Sequence, residues 1–274
     1  MPSIAIVGAG LSGLVVARRL RGMADVVVFE KSRGPGGRLA TRYGGDYAFD
    51  HGAQFFTART DRFRDFLEPL LRAGAVREWR ARFAELDRER ITSTRTWSDG
   101  HPHYVGAPGM NQVGKFLADG LDIRSNCTVG GIERRGADWI LSDHANAKLG
   151  RFDGVVLALP PAQAAVLADD HPDLVALCAT RDMLPCFALM IGLSGPLELP
   201  WDAALVRGAD ISWISVNSSK PDRIGAPALV AHSTNAWAAA HVEDDLDEVR
   251  EHLLAQVSLV TGVEMQDARH CDLQ

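Results

Sequence analysis

Cysteine is scarce in this chain: Cys127, Cys178, Cys186 and Cys271 are the four in 274 residues. No two form a C-x-x-C pair, which argues against a disulfide framework and against a zinc cluster. They read as small, mostly apolar side chains in a reducing compartment. Long apolar runs are missing as well; none reaches the roughly 20 residues that cross a bilayer. The first strand begins near Ser3 and leaves no room for a signal peptide. The expectation is a cytoplasmic protein with no membrane partner. No block of Lys and Arg stands out, and the formal net charge is −6, so no nucleic-acid partner is expected. There is no internal repeat, no low-complexity linker and no G-x-S-x-G nucleophile turn. His101 and His103 lie two apart, but no carboxylate or cysteine completes a ligand set, and no metal is expected.

What is present is concentrated at the beginning. Ile4-Ala5-Ile6-Val7 is a short, β-branched apolar run and reads as a buried strand. Gly8-Ala9-Gly10-Leu11-Ser12-Gly13 follows at once and matches G-x-G-x-x-G. Leu11, Leu14, Val15 and Leu20 then recur at helical spacing, and Gly22 sits where a helix would stop. Val26 to Phe29 reads as a second buried strand, ending in Glu30. Each part has a physical task. Gly8 allows a tight turn, Gly10 lets backbone approach a pyrophosphate, and Gly13 lets the helix pack close to the sheet. Phosphates would meet free N–H groups at the helix N-terminus, including those of Leu11 and Ser12. Glu30 can accept from ribose hydroxyls. Strand, turn, helix, strand and acid in this order predict dinucleotide binding, without separating NAD from FAD.

The next segment, Lys31-Ser32-Arg33-Gly34-Pro35-Gly36-Gly37-Arg38-Leu39, is glycine-rich and cationic. Its backbone N–H groups can form an anion nest, and Lys31 and Arg38 bring charge to a phosphate. The other reading is a solvated basic loop.

Taken with the first turn and Glu30, Gly36-Gly37-Arg38 resembles the flavin-dependent amine oxidase superfamily. Tyr47-Ala48-Phe49-Asp50-His51-Gly52-Ala53-Gln54-Phe55-Phe56-Thr57 resembles the renalase-like proteins within it, especially the bacterial ones. So do Tyr104-Val105-Gly106-Ala107-Pro108-Gly109-Met110, Ser212-Trp213-Ile214 with Asn217 to Pro221, and Ala231-His232-Ser233 through Trp237 and His241. These segments run in the family's order along nearly the whole chain. The resemblance implies a non-covalent FAD flavoprotein. It implies hydride transfer from 2- or 6-dihydro-NAD(P) to flavin, with O2 as acceptor and hydrogen peroxide as product. It sets Gly36, Gly37 and Arg38 against the pyrophosphate, and His51, Gly52, Ala53 and Gln54 beside the flavin ring. It sets the Val129 backbone at the adenine, and Ala158 to Pro160 near the cofactor. The family's second flavin-contacting segment, a strand with a G-D turn into a helix, has no counterpart in the residues leading to Cys271-Asp272-Leu273-Gln274.

The remaining elements are read from periodicity. Asp61 to Ala73 carries Phe63, Phe66, Leu67, Leu70 and Leu71 on one helical face, with Asp61 near the N-cap. Glu78 to Trp97 reads as strands, and Leu121 to Leu141 as a small antiparallel unit. Phe152 to Leu159 is a buried strand closed by Pro160 and Pro161. Cys186 to Leu193 and Ala228 to His232 read as strands. Glu243 to Val260 is amphipathic, with Leu246, Val249, Leu253, Leu254, Val257 and Val260 together. The fold class expected is α/β: a Rossmann-like, three-layer FAD-binding domain of residues 1–57 and 100–163. An α+β, mixed-sheet substrate domain of residues 58–99 and 164–274 is interleaved with it.

Hydride transfer needs proximity and orientation more than acid–base groups. His51 and Gln54 are candidates to bond the flavin or orient a ligand; the alternative is a satisfied structural pair. Tyr104, Trp213, His232 and Trp237 are candidates to enclose a nicotinamide ring; the alternative for each is core packing. Arg59 and Lys220 meet substrate phosphates or are simply solvated. The leading function is therefore a renalase-like oxidase of a small dihydronicotinamide dinucleotide. The alternatives are a flavin oxidase acting on an amine, and a flavin- or nucleotide-binding protein without turnover. A photolyase would share the flavin but lacks a basic groove.

Overall fold

The computed structural model describes residues 1–97, 101–195, 197–265 and 268–274. Packing divides the chain into two compact units, residues 1–39 with 114–183, and residues 40–113 with 184–274.

The first unit is built on a four-stranded parallel sheet. Its order is Asp122–Arg124, Asp25–Phe29, Ser3–Val7, Gly154–Leu157. Its central strands carry apolar side chains to both faces, as a covered parallel sheet requires. Helix Leu11–Leu20 follows the first strand and buries Gly13, Leu14 and Ala17. An antiparallel sheet of Gly131–Arg135, Asp138–Ser142 and Lys148–Phe152 supplies the third layer. Ala5, Val7, Phe29, Val129, Leu141 and Phe152 form one core, with Phe29 and Phe152 edge to face at 5.8 Å.

The expected antiparallel unit from Leu121 is corrected here. Asp122–Arg124 joins the parallel sheet beside Asp25–Phe29. Asn126 turns the chain with φ 52°, and residues 126–129 form no strand. The antiparallel pairing starts only at Gly131. The alternation of the segment does not reveal this change of partner, because strand pairing is set by distant neighbours and not by composition.

The second unit is built on a seven-stranded mixed sheet. Its order is His270–Leu273, Ala188–Gly192, Ala228–Ser233, Ile211–Val216, Ala203–Arg207, Arg82–Asp87, Arg90–Thr96. Only Ala203–Arg207 with Arg82–Asp87 is parallel. The strand period of two sorts the central side chains. Leu189, Ile191, Leu229 and Ala231 face a large core that includes helix Leu246–Thr261, whereas Met190, Ala228 and Val230 pack with Phe49 and Tyr47.

That helix begins where Asp245 Oδ1 accepts from the N–H groups of Asp247 and Glu248 at 2.9 and 3.3 Å. It ends at Gly262, whose φ of 68° gives the left-handed cap that glycine adopts freely. Val249, Leu253, Val257 and Val260 are buried as expected, but Leu246 is 58% exposed and Leu254 only partly covered. The first helical residue lies beyond the edge of the core. Helix Asp61–Arg72 opens at Asp61, next to its cap Thr60, and only Leu67 and Leu70 of its expected face are buried. The strand His270–Leu273, paired with Ala188–Gly192, was not foreseen. Among the described residues no helix is long and apolar enough to cross a membrane.

Candidate functional site

In the first unit the glycines follow from contact distances. Gly8 has φ 104°, and a Cβ there would lie 2.6 Å from the Ala158 carbonyl oxygen. A Cβ on Gly13 would overlap the Gly8 carbonyl oxygen and meet the Ala158 Cβ at 3.2 Å. A Cβ on Gly10 would meet nothing within 4 Å, so that backbone is open to a ligand. Leu14 N donates to Gly10 O at 3.0 Å. The first turn of the helix, Leu11, Ser12 and Gly13, has no capping side chain and no acidic residue. Uncapped N–H groups and the positive end of the helix dipole therefore meet at an open backbone, which suits a phosphate.

The cationic loop is tied to this turn: Gly36 N donates to Ala9 O at 2.9 Å. Arg38 is exposed on the short turn Gly37–Leu39. Lys31 Nζ reaches Gln163 Oε1 at 3.4 Å. Glu30 is 7% exposed; its Oε2 accepts from Ala9 N and its Oε1 from Ser32 N, each at 2.8 Å. Each carboxylate oxygen keeps a further lone pair for a ribose hydroxyl. Val129 buries its side chain in the core, and its backbone N–H and C=O have no hydrogen-bond partner among the described residues. Ala158 N donates to Val7 O at 2.8 Å, and Pro160 caps helix Pro161–Leu167. Open glycine backbone, free helix N–H groups, an acid at the second strand's end and unpaired backbone at Val129 together fit a dinucleotide.

In the second unit a buried polar network connects three distant segments. Asp50 is its hub. Oδ1 accepts from Thr41 Oγ1 at 2.8 Å and Met110 N at 2.9 Å. Oδ2 accepts from Lys220 Nζ at 3.2 Å and from Arg223. All three charged side chains are at most 2% exposed. Burial alone would raise the Asp50 carboxyl; Lys220 and Arg223, with the Met110 N–H and the Thr41 hydroxyl, outweigh it and bring it to about 2. Lys220 has only a share of one carboxylate and faces Arg223, so burial wins there and lowers its ammonium to about 8.

Lys220 also donates to Gln54 Oε1 at 3.1 Å and Asn217 Oδ1 at 2.9 Å. Gln54 Oε1 accepts a second bond, from Ser215 Oγ at 2.8 Å. Gln54 Nε2 donates to the carbonyls of Asp50 and of Gly52, the latter at 3.1 Å. His232 Nε2 lies 3.0 Å from the His51 carbonyl oxygen. Burial, then the charge of Lys220, bring the His232 imidazole down to about 4, against the pull of the His51 carbonyl. His51 is half-buried, and burial with the nearby Arg42 also lowers its pKa.

The structure thus brings His51, Gln54 and His232 together, with Gly52 and Ala53 completing the loop between the first two. Trp213 is the cross-strand partner of His232, and its ring packs on Phe55 at 5.5 Å. Two candidates lie elsewhere. Tyr104 stands cross-strand from Phe56, its ring 5.9 Å away. Trp237 is stacked between His241 at 4.3 Å and His252 at 4.9 Å, against the helix core. The expectation of a solvated or phosphate-binding Lys220 is corrected, since it is fully buried. Arg59 is exposed. Sequence reasoning passed over Asp50, Ser215, Asn217 and Arg223 as site residues. The available signal was the polarity of Asp50 and Asn217 inside segments otherwise rich in apolar residues.

These features define a dinucleotide-binding oxidoreductase. Residues 6–70 match a family described as an NAD(P)-binding Rossmann-like domain. Residues 98–272, more than half of the chain, match the flavin containing amine oxidoreductases, and the chain belongs to that family. It is a flavin-dependent oxidoreductase, and its cofactor is FAD. Among solved structures, wild-type putrescine oxidase bound to putrescine is similar at 14% identity with a TM-score of 0.75, covering 99% of this chain and 84% of that one. An oxidoreductase from Methanosarcina mazei is similar at 13% identity and TM-score 0.69, covering 99% and 87%. A fatty acid isomerase from P. acnes that produces CLA is similar at 11% and 0.74, covering 100% and 86%. At such identities the likeness is one of fold.

Proposed function

We propose that the chain is a renalase-like oxidase that takes hydride from 2- or 6-dihydro-NAD(P) and passes the electrons to O2, giving NAD(P)+ and hydrogen peroxide. The observation that carries this reading is the charge of the buried network. One carboxylate, Asp50, faces two cations, Lys220 and Arg223, and both neighbouring imidazoles are held toward the neutral form. An amine substrate arrives as an ammonium and is repelled by a net positive site; an anionic dinucleotide is attracted. Asp50 is already bonded by four donors and is no free partner for an ammonium.

In this reading Gly8, Gly10, Leu11, Ser12, Gly13, Gly36, Gly37 and Arg38 hold the pyrophosphate. Glu30 and Lys31 hold the adenosine ribose side, and Val129 the adenine. His51, Gly52, Ala53, Gln54, Ala158 and Pro160 contact the cofactor. Bound FAD supplies a two-electron acceptor that O2 can reoxidise. His51, Gln54 and His232 orient the substrate ring, with Trp213 as its apolar wall. Tyr104 and Trp237 belong to the proposed set as further ring-enclosing residues, although neither touches the network. By function the division is 1–57 with 100–163 for FAD, and 58–99 with 164–274 for substrate.

The test is anaerobic addition of 6-dihydro-NAD, or of putrescine, to the purified yellow protein. Bleaching by the dihydronicotinamide alone, with peroxide formed on readmitting oxygen, is the expected result. Bleaching by putrescine alone would replace this reading with an amine oxidase. A protein that binds FAD yet is reduced by neither would favour a non-catalytic flavin carrier.

A further inference from the structure

The seven-stranded sheet of the second unit ends in two edges of different character. At one, His270–Leu273 is short, half-buried at every residue, and tied to Arg42 through Asp272 at 2.7 Å. At the other, all seven residues of Arg90–Thr96 are exposed, and the outer side has no partner among the described residues. Such an edge offers unpaired N–H and C=O groups to any extended chain, and sheets commonly blunt it with lysine or proline. This strand contains neither, and Ile91, Thr92, Thr94 and Thr96 are β-branched, which suits strand pairing. One blunting device is present, a bulge. Glu85 stands opposite Ser93 and Leu86 opposite Ile91, so Thr92 is the extra residue, its hydroxyl donating to the Glu85 carbonyl at 3.0 Å. The regular part of the edge therefore runs from Ser93 to Thr96.

The ladder decides which groups on that edge are free. Trp97 N donates to Ala81 O at 2.9 Å, continuing the pairing with Arg82–Asp87. In an antiparallel pair the backbone direction alternates residue by residue. The N–H and C=O of Arg95 and Ser93 thus point inward, as those of Trp97 do, and those of Thr94 and Thr96 point out. The charges of the strand are already balanced within the chain. Arg95 pairs with Glu85 at 3.1 Å and lies over the Phe83 ring at 4.4 Å, and Arg90 reaches Asp87 at 3.6 Å.

We propose that this edge is a homodimer surface: a second copy of the chain adds its own Arg90–Thr96 antiparallel to it, with Thr94 opposite its counterpart on the two-fold axis. The charge pattern selects both occupant and register. In this register Ser93 stands opposite Arg95, and no like charges face each other across the seam. Centring on Arg95 instead would set two guanidinium groups face to face, which is destabilising. Pairing with the His270–Leu273 edge of a copy would build an open filament and not a closed dimer, and that edge is half-buried. The contact is mostly backbone and buries little apolar surface, so the dimer is weak and dissociates on dilution.

Sedimentation velocity of the flavin-loaded full chain over a range of concentrations tests this. The wild type should shift from monomer to dimer as the concentration rises. Thr94→Pro removes the central donor without breaking a bond to Arg82–Asp87, because that N–H points outward. It should stay monomeric at every concentration, with unchanged FAD content. Thr94→Lys and Thr94→Glu each set like charges opposite one another on the axis, and each alone should be monomeric. Mixed in equal amounts they set opposite charges there and should restore the dimer. A wild type that is monomeric throughout, or a dimer that Thr94→Pro leaves intact, would overturn the proposal. If Thr94→Pro does not fold, the charged variants decide: a dimer of either one alone, or no dimer from the mixture, would overturn it equally.

Discussion

At the residue scale, the most consequential side chain outside the cofactor turn is Asp50. Its carboxylate accepts four bonds and balances two buried cations. Asp50→Asn removes the charge but keeps the shape, leaving Lys220 and Arg223 buried without a counter-ion. Breaking a buried pair in this way costs about 3–5 kcal/mol, and urea unfolding of the variant should show a loss of that size. The pH dependence follows from the same group. Its folded-state pKa, about 2, lies below the ordinary 3.8. The unfolded chain therefore binds the proton first, so this contribution to stability is present above pH 3.8 and fades as the pH falls toward about 2. Acid unfolding of the wild type should carry this term, and Asp50→Asn should flatten it. An unchanged acid limb in the variant would mean that Asp50 is not the group responsible. Only part of this was legible in the sequence: Asp50 is a polar residue after an apolar stretch, but its partner Lys220 lies 170 residues away, and periodicity does not pair residues so distant. The residue-level reading succeeded where the cause is local. Gly8 and Gly13 declare themselves by spacing, because the turn and its helix lie within six residues of each other.

At the scale of elements, local signals fixed the strand–turn–helix–strand at the start and the long helix near the end. Asp245 and Gly262 bound that helix by side-chain capping and by a left-handed backbone, both properties of single residues. Asp245→Ala should cost about 1 kcal/mol, read as a lower melting temperature with unchanged cofactor content. The edge strand His270–Leu273 escaped notice because its residues, His-Cys-Asp-Leu, have little strand character of their own; pairing with Ala188–Gly192 makes them a strand. Likewise Asp122–Arg124 owes its parallel setting to its neighbour Asp25–Phe29. A different substitution tests the first turn as an element. In Gly13→Ala the added methyl meets the Gly8 carbonyl oxygen and the Ala158 Cβ. Separating helix from strand to admit it should cost about 1–3 kcal/mol and displace the N–H groups proposed to hold the phosphates. Expected together are weaker FAD retention on gel filtration and a lower melting temperature. Full retention of FAD would show that the helix–strand approach does not shape the phosphate site.

At the scale of the whole molecule, the two units have separate cores, and the turn proposed to hold the FAD pyrophosphate lies in the first. A ligand that binds only the folded chain stabilises it by mass action, about 2.7 kcal/mol at a hundredfold excess over its Kd. For a protein of this size that corresponds to roughly 5–10 °C in Tm. Adding FAD to stripped protein should therefore raise the melting temperature by that order, with a dependence on FAD concentration that yields the Kd. NAD, which lacks the flavin ring, should raise it far less if residues 51–54 contribute to binding, because it engages the phosphate turn alone. Tryptophan emission is a suitable probe of the second unit, which holds Trp79, Trp97, Trp201, Trp213 and Trp237, whereas the first holds only Trp139. If NAD matches FAD in that assay, the pyrophosphate turn accounts for all of the binding energy, and the proposed contacts of His51 to Gln54 with the cofactor are wrong.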